Sequence, residues 1–181
     1  ESCLPKTALA SDFNASGTGN MKFMMNGALT LGTMDGANVE IFNEVGADNI
    51  YIFGMRKDEV ENIYRNPQSY SASKIFETNH EVRRALEQLI DGTLCPENPH
   101  LFQDIYHSIL FGGYGSMADE YLVLGDLGSY MQTHERLVAD YEKPSWWHKA
   151  AVNTAASGIF SSDRTIREYN ERIWHLKPLD L

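Results

Sequence analysis

Cysteine is almost absent from this chain. Its 181 residues include two, Cys3 and Cys95, with no Cys-x-x-Cys pair. So sparse a set gives no disulfide framework, and a reducing cytoplasmic setting is the simpler expectation. Positive charge is scarce as well: 15 Lys and Arg stand against 25 Asp and Glu, a net charge of −10. That balance argues against nucleic acid or an anionic membrane as partner, since both need basic patches. No signal peptide and no apolar run long enough to span a bilayer are found. The 6 histidines show neither His-Glu-x-x-His nor clustered ligand spacing. His100 and His107 with Asp104 read as a solvated helix face, so no metal site is expected. Internal repeats and low-complexity segments are missing, and so is an initiator methionine: the sequence starts at Glu1, which suggests a fragment or a processed form. What remains is an ordinary globular composition, 43% hydrophobic and 22% charged, with enough length to bury a core.

The chain divides into a short α/β part and a mostly helical part. Residues 1–15 read as irregular, and a Gly-rich turn follows at Gly17-Thr18-Gly19. A short helix is expected from there through Met21, Lys22 and Met25 to Gly27. Ala28-Leu29-Thr30-Leu31 reads as a buried strand ending at Gly32. Asp35 is the expected N-cap of a helix over Ala37 to Val45 that stops at Gly46. Ile50-Tyr51-Ile52-Phe53 is a second apolar strand ended by Gly54. Strand, helix, strand makes a βαβ unit, so the two strands are expected to be parallel. Beyond residue 54 the pattern is helical. The best-marked helix opens at Asn79, places Val82, Ala85, Leu86, Leu89 and Ile90 on one face, and ends at Gly92. Further helices are expected near 56–65, 99–110, 117–141, 144–157 and 162–174, with Ile166, Tyr169 and Ile173 striping the last. Glu81, Arg83, Arg84 and Glu87 read as a charged face, and Ser161-Ser162-Asp163 as an N-cap. Trp146-Trp147 after Pro144 reads as a helix start with one ring in the core; a sugar-stacking platform is the alternative. Two all-apolar parallel strands need further strands and helices on both faces. No strong strand follows residue 54, so part of the sheet is expected to lie outside this chain.

The segment Ser16-Gly17-Thr18-Gly19-Asn20-Met21-Lys22-Phe23 carries the chemistry. Its glycines let the backbone turn tightly and bring N–H groups to a ligand. A helix starting just after them aims unpaired N–H groups and a positive dipole end at the same spot, which suits phosphate. Ser16 and Thr18 add hydroxyl donors, and Lys22 follows about one turn into the helix. Phosphate beside an amine is what pyridoxal phosphate needs, because the amine forms an imine with its aldehyde. A Walker A loop is excluded, since Phe23 follows Lys22 where Ser or Thr is required. The dinucleotide fingerprint is excluded too, since Lys22 stands where its last glycine belongs. Taken alone, Gly-x-Gly is a weak signal and better describes a tight turn with a surface lysine.

The longer string from Ala15 to Ile41 resembles the cofactor segment of α-glucan phosphorylases almost residue for residue. Further resemblances follow in order: Ile52-Phe53-Gly54-Met55, then Tyr141 and Trp147, then Ser157-Gly158 with Phe160-Ser161-Ser162-Asp163-Arg164-Thr165-Ile166, and Ile173-Trp174. The resemblance implies a piece of a Rossmann-like C-terminal lobe of the GT-B type. Residues 1–54 are then its cofactor-binding βαβ part, and 55–181 the helical remainder with the C-terminal helix. It implies phosphorolysis of α-1,4-glucan to α-glucose 1-phosphate with retained configuration. By the same resemblance, Lys22 is expected to carry pyridoxal 5'-phosphate, with Gly17, Thr18 and Gly19 wrapping its phosphate. Ser16 and Gly17 border the glucosyl site. In that family the cofactor's phosphate group, not its electron-sink chemistry, exchanges a proton with substrate phosphate. Partners implied are an α-glucan, phosphate, a further N-terminal lobe and a second subunit in a homodimer. The basic residues that hold substrate phosphate in the family lie outside this chain, so the 181 residues alone are expected to be inactive. The sequence departs from the family at Asn14, where the motif has a Glu that contacts a sugar hydroxyl. A half-lobe that binds pyridoxal phosphate or another phosphate without turnover is the alternative. A nucleotide-sugar transferase is disfavoured, since nucleotide sugars need no amine.

Overall fold

The computed structural model describes residues 9–10, 18–113 and 115–177, with the side chains of 9, 10 and 18 outside the description. The chain folds as mixed α/β: a short sheet near the start, and helices for most of the rest. It forms two units, one from residues 1–52 and 133–181, the other from Phe53–Gln132.

In the first unit, α1 (Thr18–Met25) follows β1 (Leu9–Ala10) and precedes β2 (Leu31–Thr33). Gly27 at φ 76° lets α1 stop: its N–H bonds Met24 O at 3.0 Å while the Ala28 N–H bonds Phe23 O at 3.0 Å. This is a Schellman closure, which needs a residue in the left-handed region. It also explains a shifted boundary. The strand expected over 28–31 begins only at Leu31, because Ala28 still completes the helix end, and Gly32 lies inside β2 and not beyond it. Leu9 and Ala10, expected to be irregular, pair in parallel with Leu31 and Gly32. A two-residue strand has no local pattern of its own and takes its conformation from its partner.

After β2 come α2 (Ala37–Val45) and β3 (Tyr51–Phe53), and the sheet order is β1-β2-β3. The Tyr51 N–H donates to Thr30 O at 2.9 Å. Helix α2 ends at Gly46 as expected, at φ 76°, but its cap is not Asp35. Gly36 takes the N-cap position at φ 48° without a side-chain bond, because the Asp35 carboxylate is taken up by the Thr33 hydroxyl at 2.7 Å.

The core of this unit gathers Met24, Ile41, Val45 and Ile50, with Phe42, Ile52, Val152, Ala156 and Phe160 packed on them. Helix α8 (Pro144–Ala156) starts on Pro144 and buries Trp146 at 3% exposure, while Trp147 stands out at 76%. One ring of the pair is therefore structural. Trp146 stacks on Tyr51 at 6.3 Å and meets Tyr141 edge-on at 5.1 Å. Ser161 caps α9 (Ser162–Tyr169), accepting from the Asp163 N–H at 3.2 Å, and a π-turn over Asn170–Trp174 follows. The Ile166, Tyr169 and Ile173 stripe is exposed.

The second unit packs around Ala72, Val82, Leu86, Leu110 and Leu124. It contains α3 (Lys57–Arg65), α4 (Ala72–Thr78), α5 (His80–Glu87) and α6 (Gln103–Phe111). Asn79 caps α5 as expected, accepting from the Glu81 and Val82 N–H groups at 3.0 and 3.1 Å. Ala85 is exposed and does not join Val82 and Leu86 in the core. Arg83 is more than a member of a charged face. Its guanidinium donates to Phe76 O at 3.2 Å and Glu77 O at 2.5 Å, closing the end of α4. Helix α7 (Val123–Tyr141) starts later than the expected residue 117. Asp119 at φ 47° and Leu122 at φ 54° leave the helical region. The Asp119 carboxylate then accepts from the Val123 and Leu124 N–H groups at 2.9 and 2.8 Å, and from the Tyr70 hydroxyl. No helix among the described residues is long and apolar enough to cross a membrane.

Two phenols make stability fall in alkali. Burial, and then the hydrogen bond and charge of Asp140, push the Tyr51 hydroxyl well above the ordinary tyrosine value of 10.0. Burial and Asp119 do the same to Tyr70. Both groups keep their protons in the folded chain at pH values where the unfolded chain has lost them. Their contribution is complete below pH 10 and declines as pH rises beyond it. Urea melts taken from about pH 8 to 11 should show this decline, and the double variant Tyr51→Phe, Tyr70→Phe should flatten it. An equal decline in both proteins would assign the effect elsewhere.

Candidate functional site

Helix α1 has one buried face and one open face. Asn20 and Met24, four residues apart and so one above the other, are 4% and 0% exposed. Lys22 lies between them in sequence, about 200° around the helix from Asn20 at 100° per residue, and is exposed. Among the described residues it enters no ion pair. Its carbonyl accepts from the Asn26 side chain at 2.8 Å.

The buried face of α1 is tied to the sheet by a polar chain. The Asn20 side chain donates from Nδ2 to Asn38 Oδ1 at 2.8 Å, and Asn38 Nδ2 donates to Thr33 O at 2.9 Å. Thr33 is the last residue of β2 and Asn38 lies in the first turn of α2. The start of α1 is thus held at the carboxyl end of the parallel strands, where open α/β sheets bind ligands. Sequence reasoning gives neither asparagine a role of its own: Asn20 is read as part of the phosphate segment and Asn38 as part of the helix that Asp35 opens. A signal existed: asparagine is a poor helix former, so two of them inside helices call for partners.

The expected site residues fall into two groups. Asn14, Ser16 and Gly17 lie outside the described residues. Thr18 and Gly19 open α1, and Lys22 follows a turn later. An α-helix leaves its first N–H groups without intrahelical partners. The first turn of α1 has no Asp or Glu to neutralise its positive end. Among the described residues, a Cβ built on Gly19 would meet nothing within 4 Å. An exposed amine one turn past a helix start without acidic residues suits a ligand with a phosphate and an aldehyde, such as pyridoxal phosphate. Among the described residues no group of His, Cys, Asp and Glu could hold a metal ion. His100 precedes α6 and does not share it with Asp104 and His107.

The sequence pattern of the carbohydrate phosphorylase family matches residues 6–176. A protein of Bacillus subtilis (strain 168) named glycogen phosphorylase is 48% identical over 166 residues, 91% of this chain and 20% of its own length. The liver form of glycogen phosphorylase from Homo sapiens is 41% identical over 187 aligned positions, 100% of this chain and 21% of its own length. The muscle form from Oryctolagus cuniculus is 44% identical over 165 residues, 91% of this chain and 19% of its own length. The chain spans about a fifth of the length of these curated relatives. The pattern covers α1 and its lysine, the sheet and the helices after it, and the chain belongs to the carbohydrate phosphorylase family.

Proposed function

We propose that this chain is the cofactor-bearing part of an α-glucan phosphorylase, an enzyme that splits α-1,4-glucan with phosphate to give glucose 1-phosphate. The observation that carries the reading is Lys22, exposed on α1 one turn past Thr18-Gly19, inside the segment that matches the family. Lys22 would hold pyridoxal 5'-phosphate through its amine. Gly17, Thr18 and Gly19 would receive the cofactor's phosphate on backbone N–H groups, and Asn14, Ser16 and Gly17 would border the glucosyl unit. When bound, the cofactor supplies a phosphate group able to hold or release a proton near neutrality. The protein's part is positional: the helix start binds an anion, and the Asn20–Asn38 chain keeps α1 against the sheet. The glucan, the substrate phosphate and its basic ligands, a second Rossmann-like lobe of the GT-B type, and a homodimer partner belong to the proposal for the whole cytoplasmic enzyme. Within it, residues 1–54 form the cofactor-binding part and 55–181 the helical remainder.

The relatives are about five times longer, so the chain by itself is expected to release no glucose 1-phosphate from glycogen or maltodextrin. In the Bacillus subtilis relative, replacing the matching segment by this chain should restore a phosphate-dependent release of glucose 1-phosphate. Turnover by the chain alone, or a folded chimera that binds the cofactor and stays inactive, would contradict the proposal.

A further inference from the structure

Asn38 touches no open surface: it is 1% exposed. Both ends of its amide are engaged by elements other than its own, the nitrogen donating to Thr33 O of β2 at 2.9 Å and the oxygen accepting from Asn20 of α1 at 2.8 Å. Room for it is made by Gly32, where a Cβ would come within 2.6 Å of Asn38 Nδ2. The contact is therefore built into two elements: any side chain at position 32 would displace the amide. On α1 the bonded residue is Asn20, on the side of the helix away from Lys22. Met24, the other buried residue of that face, packs among Ile41, Val45 and Ile50. An apolar plug of this kind fixes depth but tolerates rotation and sliding, because hydrophobic contact is non-directional. A hydrogen bond at 2.8 Å is directional and weakens steeply when misaligned. Met24 settles which face of α1 is buried, and the amide pair narrows the angle of the helix about its own axis, and with it the direction of Lys22.

We infer that Asn38 is a positioning residue for Lys22: through Asn20 it narrows the rotation of α1, which presents the lysine at the carboxyl end of the sheet. This rests on the reading of Lys22 as the cofactor lysine. Apolar replacement of either asparagine leaves a buried partner unsatisfied and frees α1 to turn. The amine then loses its preference over the chain's other lysines, although it remains exposed.

The test uses the whole chain with a limiting amount of pyridoxal 5'-phosphate, borohydride trapping and peptide mass spectrometry. The quantity read is the share of adduct on Lys22 against that on Lys6, Lys57, Lys74, Lys143, Lys149 and Lys177. Amide hydrogen exchange of Met21 to Met25 is followed in the same samples without cofactor. Asn38→Leu and Asn20→Ala should each lower the Lys22 share, and speed exchange in α1, by about tenfold, roughly the worth of one buried hydrogen bond. The double variant should be little worse than the poorer single one, because both lose the same bond. Asn20→Ala keeps a strong helix former in α1 and serves if Asn38→Leu fails to fold. Ile41→Ala weakens the same core without touching either amide, and should leave the Lys22 share unchanged. An unchanged share in both asparagine variants, an equal fall in Ile41→Ala, or unchanged exchange in α1 would overturn the inference alone. No preference for Lys22 in the unsubstituted chain would overturn the cofactor reading, and this inference with it.

Discussion

Replacing Lys22 by alanine in a phosphorylase that carries this segment should stop cofactor attachment and lower phosphorolysis by roughly a thousandfold, the scale of a lost acid–base group. Arginine should do no better. Its guanidinium keeps the charge but does not give up a proton, so it offers no free amine to an aldehyde. Stability should hardly move in either variant. Lys22 is exposed and enters no ion pair among the described residues, and substitutions at such positions stay within about 0.5 kcal/mol. The split between lost activity and kept stability can be read by comparing glucose 1-phosphate release with urea midpoints. A fall in both would mean that the lysine holds the fold and not the cofactor.

The largest effect on stability is expected at Gly112, the residue that ends α6. Its backbone stands at φ 71° and ψ −176°, a region essentially reserved for glycine, where strain costs about 1–3 kcal/mol. A Cβ there would also come within 2.4 Å of Ser116 O and 2.9 Å of the Met117 carbonyl carbon. Both are backbone atoms and neither can rotate away. Gly112→Ala should therefore cost at least about 3 kcal/mol, at the upper end of what single substitutions do. Gly113 is the matched control: a Cβ there meets nothing within 4 Å. Gly113→Ala should be neutral or stabilise by a few tenths of a kcal/mol through the unfolded chain. Equal urea midpoints for the two variants would remove the steric argument.

What could be read from the sequence followed how local the cause was. Gly46 stopping α2 and Asn79 capping α5 are decided by one residue and its neighbours, and both could be read. Pro144 opening α8 with one tryptophan in the core is local too. Helix α4 could not be read, because Ala72 to Thr78 is too short for a clear period. Ser71 caps it and Arg83, several residues on, closes its end. The start of α7 moved because Asp119, buried at 3% exposure beneath Tyr70, turns out of the helix to cap it. No pattern in 117–123 encodes the position of Tyr70. The site divides in the same way. Lys22 beside Thr18-Gly19 is legible because the helix start and the amine are one turn apart in sequence. The Asn20–Asn38 bond joins residues 18 apart and depends on the path through β2, so the sequence shows that each asparagine needs a partner but not that they partner each other.

The central claim is that this chain carries pyridoxal 5'-phosphate on Lys22. It is tested most directly by incubating the chain with one equivalent of cofactor, reducing with borohydride, and mapping the phosphopyridoxyl group by peptide mass spectrometry. The account predicts that most of the label lies on the peptide containing Lys22, and that inorganic phosphate at high concentration lowers its yield by competing for the start of α1. Label spread evenly over the exposed lysines, with no effect of phosphate, would contradict it.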